Sequence, residues 1–137
     1  INGADCRITI SDGSISNRVS IEWDALANTI KGFMGSNGLV QTSSFNQTQN
    51  LKIALHYKVD DFKIFINGFN IAQDTNVSAQ VGLNDLSFDN ATGSNPFYGN
   101  TKQIQYFDTA LTDSQLEYLT SYRSFADMVE SQNYIIQ

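Results

Sequence analysis

The feature of this chain that most restricts its fold is a series of short alternating segments between residues 6 and 107. Each segment places β-branched or aromatic residues on one face and polar residues on the other, and Gly, Asn, Asp or Ser residues separate the segments. Period-two alternation is typical of half-buried antiparallel strands, and turn signals at this density are typical of sandwiches and barrels. The pattern therefore predicts an all-β fold, an antiparallel β-sandwich.

Two hairpins are predicted within this series. Residues 62–66 and 69–73 flank Asn67-Gly68, a dipeptide that tolerates the positive φ angles of a type I′ turn. Residues 29–34 and 39–42 form the second predicted hairpin, in which Gly32 indicates a bulge or a close backbone approach. A strand over residues 51–58 is expected beside the first hairpin.

The alternation also predicts which side chains face the core. In the segment 18–23, Val19, Ile21 and Trp23 share one face while Arg18, Ser20 and Glu22 take the other. Leu86, Phe88, Ile104 and Tyr106 continue the apolar set, and Ser87, Gln103 and Gln105 continue the polar one. Two sheet faces of different chemistry result.

The β pattern stops at Leu111. Thr112 and Gln115 have the spacing of a capping box, so a helix is predicted over residues 113–122, with Leu116 and Leu119 facing inward. The predicted organisation is one domain over residues 1–123, followed by a C-terminal extension or arm over residues 124–137.

The amino-acid composition restricts the classes of partner that this chain can bind. The chain has 137 residues, of which 16% are charged, and a net charge of -6, which disfavours a phosphate backbone as partner. Its single cysteine excludes an internal disulfide, and no apolar run is long enough to cross a bilayer. Neither nucleic acid nor a membrane is therefore predicted as a partner, whereas a surface rich in Asn, Ser, Gln and Thr suits neutral polar ligands such as sugars.

Several motifs together carry a family resemblance: the strand at 51–58, the hairpin Phe65-Ile66-Asn67-Gly68, the run Pro96-Phe97-Tyr98-Gly99, the strand at 104–107 and the run at 110–116 that ends in Gln115-Leu116. With these motifs, most of the chain resembles the laminin-G-like jelly-roll branch of the concanavalin A-like lectin/glucanase superfamily, as found in phage tail and capsid-associated proteins. Family members usually carry further strands before the segment that corresponds to Arg7. The resemblance therefore implies that upstream residues or another chain complete a sheet edge.

The resemblance implies a non-enzymatic phage structural or adhesion domain, located on a virion or an extracellular surface. Its expected partners are a host-surface glycan and either other virion proteins or further copies of itself. The alternative is a carbohydrate-binding module of a larger secreted or cell-surface protein.

An enzyme was weighed because the related glucanases carry two or three carboxylates at alternate positions of one strand. The nearest match here is Glu22-Trp23-Asp24, which lacks a third Glu, so both carboxylates are predicted to be ordinary solvent-facing residues. His56 is the sole histidine, and no nucleophile elbow surrounds a serine. No catalytic residue is therefore predicted.

Two places qualify as binding sites. The first is a polar sheet face where Phe65 would form the floor of a sugar-sized groove, unless that face is hydrated or covered by the C-terminal helix. The second is the loop 89–98, which could bind a glycan or calcium through hard oxygen donors, or use those oxygens in Asx turns. The predicted glycan-binding residues are His56, Phe65, Gln103, Gln105, Asn95 and Tyr98. Calcium is the one cofactor considered, with Asp89, Asn90 and Asn95 as ligands.

Overall fold

The computed structural model describes residues 5–36, 38–42 and 44–122. The predicted extension at 124–137 lies outside these residues. Eight strands and one helix follow in chain order: β1 Cys6–Ser11, β2 Arg18–Trp23, β3 Ile30–Met34, β4 Gly38–Thr42, β5 Ile53–Lys58, β6 Asp61–Ile66, β7 Phe69–Asp74, β8 Asp85–Ser87 and α1 Asp113–Thr120. The predicted all-β sandwich with a short C-terminal helix is confirmed.

The strands form two antiparallel sheets. Sheet A has the order β4-β3-β2-β1-β8, and sheet B has the order β5-β6-β7. Although β1 is the first described strand, it pairs with β2 on one side and β8 on the other. Among the described strands the sheet edges are therefore β4, β8, β5 and β7, and completion of an edge by upstream residues or another chain stays a prediction.

The core lies between the two sheets and contains the apolar faces predicted for β2, β5 and β6, but the prediction for Leu86, Phe88, Ile104 and Tyr106 is wrong, because all four are exposed. Each fully buried aliphatic or aromatic side chain contributes roughly 1.5–3 kcal/mol through apolar surface removed from water. Trp23 packs against this cluster, as predicted. Its buried members are Val19, Ile30, Met34, Val40, Phe62, Ile64, Ile66 and Val77.

Gly32 lies in the middle of β3, where neighbouring side chains leave no room for a Cβ atom. The strands β3 and β4 pair without a shift in register, so there is no bulge at Gly32. A Cβ atom there would lie 2.7 Å from Leu55 Cδ2 and 2.8 Å from Val40 Cγ2. Of the two predicted explanations, close approach is therefore the correct one.

Both predicted hairpins form. Asn67 and Gly68 have φ angles of 52° and 92° between β6 and β7, as a type I′ turn requires. The strand predicted at 104–107 does not form: residues 101–110 are exposed and are not assigned to a strand. Alternation is present there, but no neighbouring strand supplies backbone partners among the described residues. The hydroxyl groups of Tyr106 and Tyr57 lie 3.1 Å apart and connect this segment to sheet B.

Helix α1 begins at the predicted capping box. The Gln115 amide N–H donates to Thr112 Oγ1 at 3.3 Å, and the Thr112 amide donates to Gln115 Oε1 at 2.9 Å. The helix packs against all three strands of sheet B and ends at Thr120. Leu116 is buried as predicted, but the prediction for Leu119 is wrong: it is 41% exposed, and Thr120 takes the inward position. Of the described residues, none belongs to a helix long and apolar enough to cross a membrane.

Candidate binding face on sheet A

The outer face of sheet A is polar yet largely buried. Because side chains alternate along each strand, the residues opposite the core set share this face. We call it the arginine face, and it comprises Arg7, Thr9, Ser11, Arg18, Ser20, Glu22, Lys31, Phe33, Leu39, Gln41, Asp85 and Ser87.

The strand register aligns these residues in rows that cross the sheet. Phe33, Ser20, Thr9 and Ser87 form one row from β3 to β8. Two arginines from the flanking rows converge on the aromatic ring of this row: the guanidinium carbon of Arg7 lies 4.9 Å from the centroid of Phe33, and that of Arg18 lies 5.6 Å away. Both distances are within the range of a cation–π interaction.

The loop after β8 covers one side of the arginine face. Thr9 Oγ1 donates to the carbonyl of Asp89 at 2.5 Å, and Arg18 Nη1 donates to the carbonyl of Asn90 at 3.3 Å. The other side, over β3 and β4, is open: Leu39 is 44% exposed, Gln41 is exposed and Phe33 is only partly buried. The face is therefore a polar surface with a loop along one border.

Several polar atoms under this border have no hydrogen-bond partner. Arg7 Nε, Arg18 Nε, Ser20 Oγ and Ser87 Oγ are all buried and unpartnered. An unsatisfied buried polar group costs about 1–3 kcal/mol, so native proteins rarely cluster them without a reason such as a bound molecule. Burial, and then the positive charge of Arg7, lower the pKa of Arg18.

One end of the face holds a charge cluster. Glu22 lies between Arg7 and Lys31 in the register and forms ion pairs with both, and Lys31 also pairs with Asp24. The prediction that both carboxylates face solvent is wrong, because Glu22 is 2% and Asp24 is 6% exposed. Neighbouring strands supply a cation on each side of Glu22, and sequence spacing along one strand does not reveal that pairing.

Asp5 joins the two buried carboxylates. One oxygen from each of Asp5, Glu22 and Asp24 lies within 4.8 Å of the others, which is a spacing that could hold a metal ion. Arg7 and Lys31 already bring positive charge to the same carboxylates. The cluster is therefore accounted for by its ion pairs.

Gln47 positions this end of the face, and the sequence reasoning missed it. Its amide nitrogen lies 2.9 Å from the carbonyl oxygen of Asp24, 3.1 Å from that of Leu26 and 2.5 Å from that of Thr29. These contacts fix the turn between β2 and β3, and hence the backbone of Asp24. Gln47 stands in a run of polar residues, where no local pattern marks a buried amide.

The predicted groove on sheet B does not exist. Phe65 is fully buried and His56 is nearly so, on a face that α1 covers. The prediction that Phe65 floors a sugar groove is therefore wrong, and the helix-covered alternative is correct. His56 Nε2 lies 3.1 Å from Asp61 Oδ2, and Lys63 bridges Asp61 and Asp113 at 2.9 Å each.

These ion pairs shift two pKa values on sheet B. The hydrogen bond from Lys63 lowers the pKa of Asp61, and the hydrogen bond to Asp113, followed by that to Asp61, raises the pKa of Lys63. Asp61 and Asp113 therefore share one cation, Lys63, across β6 and α1.

The structure places the remaining predicted glycan-binding residues in different parts of the molecule. Gln103 and Gln105 are exposed in the segment 101–110 and share no strand face with His56. Asn95 accepts a hydrogen bond at its carbonyl from the Arg7 amide at 3.0 Å, which places it at the border of the arginine face. Tyr98 follows it along the same loop and is 79% exposed. Of the predicted glycan residues, Asn95 alone is thus placed at the border of the arginine face.

The predicted calcium loop uses its oxygens locally. Asp89 Oδ1 accepts a hydrogen bond from the Ala91 amide at 2.6 Å, and Asn90 Oδ1 accepts from the amides of Thr92 and Ser94. These are the Asx turns weighed as the alternative. Calcium binding by Asp89, Asn90 and Asn95 stays a prediction that these contacts do not favour.

Two surface depressions lie elsewhere on the described part of the chain. One, of about 380 Å³, is apolar and lies between α1 and the preceding segment, around Phe107, Leu111 and Leu119. The other, of about 390 Å³, is polar and includes Asp74 and Asn76 but no aromatic side chain. Neither contains a predicted glycan residue.

Comparisons with known proteins leave the family open. No family model matches the chain, and no curated protein matches it. A crystal structure of an S-layer domain-containing protein from Clostridium thermocellum is similar, with 18% identity and a TM-score of 0.45 over 88% of this chain and 64% of that one. The chain thus spans less than two thirds of that neighbour, and a likeness at this level carries no argument. The resemblance to the laminin-G-like branch and to phage proteins stays a prediction.

Proposed function

We propose that this chain is a non-catalytic carbohydrate-recognition module of a cell-surface or secreted protein, and that it binds its ligand on the arginine face. The observation that carries this proposal is a group of buried, unpartnered N–H and O–H groups: those of Arg7, Arg18 and Ser20 lie beside Phe33, and that of Ser87 lies two strands beyond Ser20 in the same row. Binding sites for small polar ligands combine a few convergent polar groups with an apolar platform.

The chemistry of these groups suits a sugar. Guanidinium N–H groups only donate hydrogen bonds, whereas serine hydroxyls both donate and accept, so together they can pair with sugar hydroxyls in either role. The C–H face of a sugar ring can pack on the partly exposed ring of Phe33.

The carboxylates of this face support binding rather than hydrolysis. A retaining or inverting glycosidase needs one carboxyl group to donate a proton and a second to act as nucleophile or base at an accessible sugar. Glu22 and Asp24 are buried and held by Arg7 and Lys31, so each carboxylate is compensated by a cation. Their role in this proposal is to orient the two cations.

A surface glycan with repeating units is the proposed partner. A single shallow face gives weak binding, but copies of the chain joined in one assembly raise the effective concentration of each site for the next repeat. The net charge of -6 also leaves neutral or sparsely charged polymers better suited than densely anionic ones.

A glycan array tests the proposal. We expect the unaltered chain to bind at least one class of oligosaccharide, and Phe33→Ala to weaken that binding by about tenfold or more, as loss of a central aromatic contact commonly does. Phe69→Ala is the matched control, because Phe69 is an exposed aromatic on β7 of the other sheet. Its binding should equal that of the unaltered chain.

Two results would overturn the proposal. One is the absence of binding to any glycan by the correctly folded chain; the other is binding that Phe33→Ala leaves intact. Release of reducing ends from a bound polysaccharide would contradict the non-catalytic part alone.

A further inference from the structure

The geometry points to a carboxylate on the ligand: we propose that the glycan contains an acidic sugar residue, such as a uronic acid, whose carboxylate binds Arg18. This inference rests on the proposed function, since it names the chemical class of the glycan at the arginine face. It starts from a difference among the three cations of that face.

Arg18 is the cation of this face that forms no ion pair, although the charge of Glu22 partly offsets the lowering of its pKa. Arg7 pairs with Glu22, and Lys31 pairs with both Asp24 and Glu22. Arg18 is buried to about the same degree as a core residue, with 9% exposure, yet it forms an ion pair with no carboxylate among residues 5–36, 38–42 and 44–122. Buried charges in proteins are normally paired, so an unpaired guanidinium indicates an anion supplied from outside.

The free edge of Arg18 has the shape of a carboxylate site. Nη1 donates to the Asn90 carbonyl, while Nε is unpartnered and Nη2 forms no hydrogen bond within the described chain. The Nε and Nη2 groups form the side of the guanidinium that binds both oxygens of a carboxylate in parallel. A lysine ammonium could not reproduce that geometry.

The neighbouring hydroxyls complete the arrangement. Ser20 lies two residues from Arg18 on the same face of β2, and Ser87 lies in the same row as Ser20 across the sheet. Their unpartnered hydroxyls can donate to the carboxylate or to a ring hydroxyl beside it. Phe33, next to Ser20 on β3, then meets the sugar ring.

For the carboxylate to reach Arg18, one hydrogen bond between Arg18 and the loop after β8 has to break. The contact between Arg18 Nη1 and the Asn90 carbonyl is long, at 3.3 Å, and involves a neutral acceptor. A charged acceptor forms a stronger hydrogen bond to the same group, so ligand binding can replace it. Burial, together with repulsion from Arg7, lowers the pKa of Arg18, and an added anion would relieve both effects.

One guanidinium without an ion pair can bind one anionic group, so a ligand with a single carboxylate fits this face better than a densely sulfated polymer. The remainder of the chain is acidic, with a net charge of -6, and would repel a highly sulfated polymer. A planar carboxylate also matches the two parallel N–H groups of the guanidinium edge.

Calorimetry with three matched oligosaccharides tests the inference. The first contains uronic acid, the second is the same oligosaccharide after reduction of its carboxyl groups to alcohols, and the third is a neutral backbone that carries sulfate. We expect the unaltered chain to bind the first at least about tenfold more tightly than the second, which is the scale of a charge-assisted bidentate contact. Arg18→Gln should abolish that preference, and Arg18→Lys should lose most of it.

A control variant and a folding check keep the result interpretable. Lys63→Gln removes a cation from sheet B and should leave the preference unchanged. If Arg18→Gln does not fold, the affinities of the unaltered chain for the acidic and reduced oligosaccharides still test whether the ligand carboxylate contributes to binding, and Arg18→Lys tests whether Arg18 is its partner.

The outcomes separate this inference from the proposed function. Equal affinity for the acidic and reduced forms, or a preference for the sulfated form, overturns the carboxylate assignment and leaves glycan binding standing. A preference that survives in Arg18→Gln overturns the role of Arg18. Failure of every glycan to bind overturns both proposals.

Discussion

The two outer faces of this sandwich are covered in opposite ways. On sheet B, helix α1 covers a face where Phe65 and Leu116 are buried, and where His56, Asp61, Lys63 and Asp113 form a continuous series of contacts. On sheet A, a loop covers part of a face where two arginines and two serines keep unpartnered polar atoms. The polar groups of the first face have partners, whereas several buried polar atoms of the second face have none within the described residues.

The difference teaches where to look for function in such a fold. A helix that buries a phenylalanine over a face whose charged side chains form ion pairs stabilises the domain and leaves no unpartnered buried polar atom among the described residues of that face. A loop that buries polar groups without satisfying them costs stability, and proteins accept such costs mainly at functional sites. The sequence predicted a sugar-binding groove on sheet B, whereas the unpartnered buried polar groups lie on the outer face of sheet A.

The largest expected effect is the difference in stability between substitutions of Phe65, which is buried on sheet B, and of Phe33, which is partly exposed on sheet A. Phe65→Ala should lower the free energy of unfolding by about 3–5 kcal/mol, because it leaves a cavity beneath α1. Phe33→Ala should cost only about 1 kcal/mol, because Phe33 is partly exposed and loses chiefly its contacts with two guanidinium groups. Urea denaturation at neutral pH measures both. Equal costs would mean that Phe33 is a structural core residue and would remove the contrast between the faces.

A second comparison concerns the cations. Arg18→Met should leave the free energy of unfolding unchanged or raise it by about 1 kcal/mol, since it removes a buried charge that has no ionic partner. Lys63→Met should lower it by about 1 kcal/mol at most, because Asp61 and Asp113 lose their shared cation at a partly exposed site. The same denaturation experiment checks this pair. A large loss of stability in Arg18→Met would show that its guanidinium is satisfied in the folded chain.

The smallest effect is the pH dependence that the ion pairs of sheet B add to stability. Because Lys63 lowers the pKa of Asp61 below its usual value of 3.8, the contribution of Asp61 to stability is present above that value and is lost as the pH falls through the lowered pKa. Because Asp113 and Asp61 raise the pKa of Lys63 above 10.5, its contribution is present below 10.5 and is lost as the pH rises through the raised pKa.

Tyr57 adds to the alkaline side. Burial, followed by the hydrogen bond with Tyr106, raises its pKa from 10.0 to about 12, so its contribution is present below pH 10 and is lost towards pH 12. Unfolding free energies measured at acidic, neutral and alkaline pH should therefore fall at both ends, and Lys63→Met should flatten the profile. Unchanged acid sensitivity in Lys63→Met would assign that effect to other carboxylates.

The sequence by itself determined the elements whose causes are local. Period-two alternation fixed the core faces of β2, β5 and β6, the dipeptide Asn67-Gly68 fixed the hairpin turn, and Thr112 with Gln115 fixed the start of α1. Each of these depends on residues a few positions apart, within reach of backbone geometry and side-chain hydrogen bonds.

Only the tertiary structure decided which face was sealed and which charges were paired. The burial of Phe65 depends on where α1 returns to the sheet, and the pairing of Glu22 depends on strand register with β1 and β3. Arg18 was already assigned by alternation to the polar face, but its lack of an ion pair emerged only when three strands and a loop were brought together. Contacts between distant parts of the chain set burial and electrostatics, and these are the quantities that define the candidate site.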